Sequence, residues 1–150
     1  MDKLDYLTQK DTVERLIIEL FIATDLRDWA RLEQIFADKV QFNMSSVGGP
    51  NGDMTPGDIT AMWQEGLAAL KAIHHQVGNF VTDINGDEAV ANCYGVAYHY
   101  LPTKSGRDTR VFVGNYNFTL QKLGDSWKVS AMTFNAKFID GNKELEKDAA

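Results

Sequence analysis

At Ile73 the spacing of apolar residues changes its period, and this constrains the fold more than any other feature of the chain. Upstream, between Gln9 and Thr24, the apolar residues Val13, Leu16, Ile17, Leu20 and Phe21, with Thr24, recur at intervals of three and four, as one buried helix face requires. Downstream the period is two residues as far as about Phe138, broken by turn signals at Asn85-Gly86-Asp87, Lys104-Ser105-Gly106 and Gly124-Asp125. Helices followed by strands in meander order is the α+β pattern.

Within the first half, Asp28 reads as the N-cap of a short helix from Trp29 to Phe36, so Asp25-Leu26-Arg27 is a tight corner. Val40, Phe42 and Met44 alternate with polar residues as a short strand. The strand runs into Gly48-Gly49-Pro50-Asn51-Gly52-Asp53, a flexible loop suited to act as a lid. Thr55, Pro56 and Asp58 then open a third helix that extends to about Ile73, with Ile59, Met62, Trp63, Leu67 and Leu70 on its apolar face.

The segment from Glu88 to Leu101 is lopsided. One face carries Ala89, Ala91, Cys93, Gly95, Ala97 and His99, and the other carries Val90, Asn92, Tyr94, Val96, Tyr98 and Tyr100. Small side chains leave space on the first face, which is filled by a closely packed helix, kept open as a cavity, or divided between the two.

With 150 residues the chain forms one domain able to bury roughly 70% of its extended surface. The single cysteine, Cys93, cannot close an intrachain bridge and reads as a buried, inert thiol. A net charge of -6 with no basic block argues against nucleic acid or an anionic membrane as partner. The first residues show no charged-then-apolar leader pattern, and no run of eighteen apolar residues occurs, so a cytoplasmic protein is expected. Three histidines are present, but adjacent His74 and His75 project to opposite faces, so no metal site is expected. No phosphate-binding glycine loop or nucleophile elbow appears either, and the expected chemistry needs no cofactor.

Acid–base chemistry has a candidate pair in Asp25 and His75. A carboxylate bonded to one imidazole nitrogen fixes the tautomer and steadies the cation, leaving the other nitrogen to take a proton near neutral pH. Read alone, Asp25 also suits a helix cap.

The corner Asp25-Leu26-Arg27-Asp28-Trp29, the run His75-Gln76-Val77-Gly78-Asn79 and the late Ser126-Trp127-Lys128 resemble the SnoaL-like branch of the nuclear transport factor 2-like superfamily. The resemblance covers about Thr8 to Phe138. It implies a cone in which a strongly bent, mostly antiparallel mixed sheet wraps around three N-terminal helices and encloses a pocket. Within the superfamily the chain is most similar to the scytalone dehydratase and hexachlorocyclohexane dehydrochlorinase group. There an aspartate ending the first helix orients a histidine that begins a strand, and the histidine removes a proton from carbon as water or halide leaves. Asp25 and His75 occupy those positions. Thr24 and Met44 stand where the dehydratase has tyrosines, Gly114 falls near its serine, and either His99 or Tyr100 falls near its second histidine.

The expected protein is therefore a lyase or isomerase acting on a small apolar or aromatic molecule, with His75 as base, Asp25 as its partner and His99 or Tyr100 as acid or oxygen-binding group. Phe42, Met44, Met62, Trp63, Met132 and Phe134 are the expected apolar lining, unless they are plain core. Asn115, with Asn117 and Asn135, supplies neutral hydrogen bonds if its face turns inward. Rival readings are a polyketide cyclase or ketosteroid isomerase-like enzyme, in which a carboxylate alone moves the proton, and a non-catalytic binding or assembly module such as a dioxygenase small subunit. A homodimer is expected through the open sheet face, with Tyr94, Val96, Tyr98 and Phe112 in the contact.

Overall fold

The computed structural model describes residues 1–150. Helix α1 (Lys3–Asp25) starts six residues earlier than the apolar spacing alone shows, because Asp2 caps it by accepting from the Asp5 backbone N–H at 2.8 Å. Its end is sharply defined. Arg27 takes the left-handed conformation at φ 57, its N–H bonds to the Thr24 carbonyl, and the Asp28 N–H reaches back to the Ala23 carbonyl at 2.8 Å. This pair of reversed bonds is a Schellman stop, and it makes Asp25 the last helical residue.

Helix α2 (Trp29–Ile35) is capped by Asp28, whose carboxylate accepts from the Arg31 backbone N–H at 3.2 Å. Strand β1 (Phe36–Asn43) follows without a loop, so Phe36 belongs to the sheet and not to the helix. The expected Gly48–Asp53 loop is partly strand: β2 (Asn51–Met54) pairs antiparallel with β1. The turn between them is not a free lid either. Ser46 donates to the Phe134 carbonyl at 2.6 Å and accepts from the Ala136 N–H at 3.1 Å, which ties the turn to the last strand.

Helix α3 (Pro56–Gly66) opens on a reciprocal capping box between Thr55 and Asp58, with Pro56 at its first position. It stops at Gly66 and not near Ile73. Leu70 and Ile73 pack with Leu145 in a small cluster apart from the main core, and the chain must leave the helix to reach it. Arg27 stabilises the departure by donating to the Leu67 and Leu70 carbonyls at 3.2 and 2.6 Å.

Strands β3 (Ala72–Asn85), β4 (Glu88–Tyr100), β5 (Thr109–Leu123) and β6 (Ser126–Gly141) form the antiparallel meander, and β6 pairs in parallel with β1. The sheet order is β2-β1-β6-β5-β4-β3, a mixed six-stranded sheet that does not close on itself. Left-handed glycines occupy the turns at Gly86, Gly106 and Gly124. Asn79, also left-handed at φ 54, sits where the β3–β4 register shifts between Gly78 and Val81.

The small-residue face of β4 is divided along its length. Ala89, Ala91 and Cys93 join the core built on Val13, Ile17, Leu20 and Phe21 of α1. Ala97 and His99, further along, face a cavity. Between them Gly95 admits the ring of Tyr116, since a Cβ there would stand 2.3 Å from a ring carbon. Trp127 anchors the last strand by donating its indole N–H to Gln9 at 2.7 Å. No helix is long and apolar enough to cross a membrane.

Candidate active site

The cavity lies between the inner face of the sheet, the end of α1 and the C-terminal turn of α3, and its volume is about 290 Å³. That places it at the lower end of the size range of small-molecule sites. Phe21, Thr24, Ala97, Tyr116, Met132 and Phe134 form its buried interior. Met44, Val47, Met62, Trp63 and Leu67 line it nearer the surface, and the exposed glycines Gly48 and Gly66 lie at its rim.

Asp25 and His75, 50 residues apart in sequence, meet at the edge of this space. Asp25 Oδ1 stands 2.6 Å from His75 Nδ1, and Oδ2 accepts the His75 backbone N–H at 2.9 Å. Both carboxylate oxygens are thereby engaged by one residue. An ionised carboxylate can only accept, so the ring proton resides on Nδ1 and Nε2 presents a lone pair. Phe21 packs against the imidazole with ring centroids 5.1 Å apart, and His75 lines the cavity. Asp25 does not cap α2; Asp28 does.

His99 also lines the cavity, on the strand next to His75. Its Nδ1 lies 3.0 Å from Arg110, and burial first, then Arg110, pushes its ionisation down to about 4. Tyr100 is a correction: it stands on the outer, solvent-facing side of β4, because neighbouring strand residues project oppositely.

The same alternation removes Asn115 from the site. On β5 the rings of Phe112, Tyr116 and Phe118 take the inner face, leaving Asn115 and Asn117 outside. Asn117 donates to Asn92 and accepts from Asn135 in a ladder across the outer face. Phe112 likewise belongs to the cavity and not to the outward dimer face. Phe42 is core: it is 1% exposed and packs edge-on beneath Trp63 at 5.6 Å, so it supports the lining without reaching the cavity. Met44, Met62, Trp63, Met132 and Phe134 all contribute to the lining. His74 faces outward beside Tyr98.

Sequence reasoning missed Tyr116. Its ring spans the inner face between Phe21 and Phe134, at 4.8 and 4.7 Å, and the residue lines the cavity. Burial raises its ionisation well above the ordinary phenol range, so it stays a neutral donor. The alternation Phe112, Gly114, Tyr116, Phe118 carries the signal that would have found it. Thr24 is spent locally, since its hydroxyl donates to the Leu20 carbonyl at 2.8 Å. Cys93 is buried, and its thiol is pushed up to about 12, mainly by desolvation. No three His, Cys, Asp or Glu side chains converge as a metal-binding group.

A family profile for the SnoaL-like domain matches residues 5–133. The chain belongs to the SnoaL-like domain family. Among solved structures, this SnoaL-like chain is similar to the Kfla4162 protein of Kribbella flavida, with 23% identity and a TM-score of 0.87 over 93% of this chain and 97% of that one. It is also similar to a scytalone dehydratase-like protein from Novosphingobium aromaticivorans, at 17% identity and TM-score 0.78, covering 91% and 89% of the two chains. A type 2 hexachlorocyclohexane dehydrochlorinase matches at 16% identity and TM-score 0.80, over 94% and 93%. At these identities the likeness establishes the fold. No curated protein matches the sequence.

Proposed function

We propose that this SnoaL-like protein is a lyase or isomerase that uses its own side chains to take a proton from carbon in a small apolar or aromatic substrate. The observation that carries this reading is the Asp25–His75 pair, bonded at 2.6 Å and 2.9 Å, with Nε2 unpartnered beside an apolar cavity. His75 is the base. Asp25 holds its tautomer and stabilises the imidazolium as it forms, while His99 and Tyr116 offer hydrogen bonds to the group that gains charge. A base so placed contributes about a hundredfold to ten-thousandfold in rate.

Two neighbours in fold are a scytalone dehydratase-like protein and a dehydrochlorinase, and both names denote eliminations. The carboxylate-only mechanism of an isomerase-like enzyme fits less well, because His75 already occupies both oxygens of Asp25. An unfilled cavity with a polarised imidazole at its edge also favours chemistry over a purely structural module.

The test is incubation of β-hydroxy ketones and haloalkanes with the protein in deuterated water, following alkene formation and deuterium uptake by mass spectrometry. Elimination or exchange by wild type that His75→Ala loses supports the reading, and equal rates in the two proteins overturn it.

Tyr94, Tyr98 and Val90, all exposed on the outer sheet face, fit a homodimer contact with a second copy. Sedimentation of a dimer that Tyr94→Glu converts to monomer is the expected outcome, and a monomeric wild type contradicts it.

A further inference from the structure

His99, Arg110 and Glu146 form a second, oppositely polarised array behind the cavity. Arg110 Nη2 stands 3.0 Å from His99 Nδ1, and the same guanidinium bonds Glu146 through both terminal nitrogens, at 2.9 and 2.6 Å. Glu146 lies beyond β6, next to the fully buried Leu145 that pins the C-terminal segment to Leu70 and Ile73. The guanidinium also lies over the Phe112 ring at 5.7 Å, and Phe112 packs on His99 at 5.1 Å. The imidazole is thus held by two residues of β5, Arg110 and Phe112, and Glu146 of the C-terminal segment braces the guanidinium.

The direction of the hydrogen bond follows from chemistry. A guanidinium has five N–H donors and no acceptor, so a nitrogen bonded to it must carry a lone pair. His99 Nδ1 therefore accepts, and its single ring proton resides on Nε2, the nitrogen turned from Arg110 in a residue that lines the cavity. At His75 the partner is a carboxylate that only accepts, and the proton lies on Nδ1. Two imidazoles on adjacent strands therefore present opposite ends: a lone pair from His75 and an N–H from His99.

We propose that Arg110 and Glu146 are positioning residues that lock His99 as a neutral Nε2–H donor, so that the site takes a neutral carbonyl compound whose oxygen bonds His99 while His75 faces the carbon next to it. This rests on the function proposed above and narrows its substrate class. A carbonyl oxygen accepts from His99 and Tyr116, gains charge as the α proton leaves to His75, and is neutral in the ground state. A polyhalogenated alkane offers no comparable acceptor. The charged and titratable groups around His99 are Arg110 from β5, Glu146 from the C-terminal segment, His75 from β3 and Asp25 from α1. Burial and the adjacent Arg110 both oppose a second proton on its ring.

Nitrogen-15 NMR of the histidine rings reads the tautomer directly. Wild type at neutral pH is expected to show a protonated Nε2 and bare Nδ1 at His99, with the reverse at His75. Arg110→Met should mix the His99 tautomers and raise its titration, whereas Arg110→Lys, which keeps a donor, should retain the wild-type signature. Glu146→Gln, at a partly exposed site, serves if Arg110→Met does not fold, and should weaken the same signature. An Nδ1–H tautomer at His99 in wild type overturns the proposal, as does an unchanged tautomer in folded Arg110→Met or Glu146→Gln. Acetophenone added to saturation should shift the His99 Nε2–H signal and ethylbenzene should not. Equal responses, or none to acetophenone, overturn the carbonyl assignment, while the elimination assay judges the proposed function separately.

Discussion

Asp25 holds His75 at two points, ring and backbone, so the imidazole's position relative to the end of α1 is set by one side chain. The Schellman stop at Arg27 fixes where that helix ends and so aims the carboxylate. Orientation of the His75 ring thus follows from how the first helix terminates.

Asp25→Asn separates orientation from shape. With its oxygen still accepting the His75 backbone N–H, the amide turns its NH2 toward Nδ1 and donates, which moves the ring proton to Nε2 and removes the base. Turnover should fall about a hundredfold to ten-thousandfold with the unfolding temperature changed by only a few degrees. Unchanged turnover in a folded variant would show that the pair only supports structure.

Gly95→Ala tests the packing that shapes the cavity. The added Cβ would meet Tyr116 ring carbons at 2.3 and 2.8 Å, so the ring must move off the sheet and into the open space. A loss of roughly 1–3 kcal/mol in denaturant unfolding is expected, together with weaker acetophenone binding. Wild-type stability would show that β4 and β5 separate freely at this point.

The depressed ionisation of His99 predicts a pH dependence with a definite sign. Its folded value is about 4 against the ordinary 6.5, so between those values the unfolded chain binds a proton that the folded chain refuses. Its neutral form therefore contributes fully above about 6.5, and the contribution is lost as pH falls toward 4. Across that window wild type should lose of order 3 kcal/mol more than His99→Gln in denaturant titrations. Parallel curves for the two proteins would contradict the buried neutral imidazole.

Much of this architecture was legible in the residues because period reports burial. The helix face from Val13 to Thr24, the caps at Asp28 and Thr55, and the inward row from Ala89 to His99 all follow from local spacing. Boundaries set by distant contacts were not. Helix α3 stops at Gly66 because Leu70 answers to Leu145, more than seventy residues away, and β2 pairs only because β1 is beside it. The site divides in the same way. Asp25 and His75 were visible through the family resemblance, whereas Tyr100 entered only through the register of that resemblance, against the alternation that sets it opposite His99, and Asn115 lies on a face of β5 that alternation alone could not orient. Phe42 was misplaced by depth, since a period distinguishes inside from outside but not core from cavity wall. Glu146 and Arg110 left no local signal, because their meaning arises only where the C-terminal segment folds back behind His99.

Chemical rescue of His75→Ala tests the central claim most directly. The substitution empties the imidazole's place at the cavity edge without removing Asp25, so free imidazole added to the variant can occupy it. Proton abstraction from a turned-over substrate should be lost in His75→Ala and restored in proportion to imidazole, with Asp25→Asn not restored. A variant that retains wild-type turnover without imidazole would contradict the account.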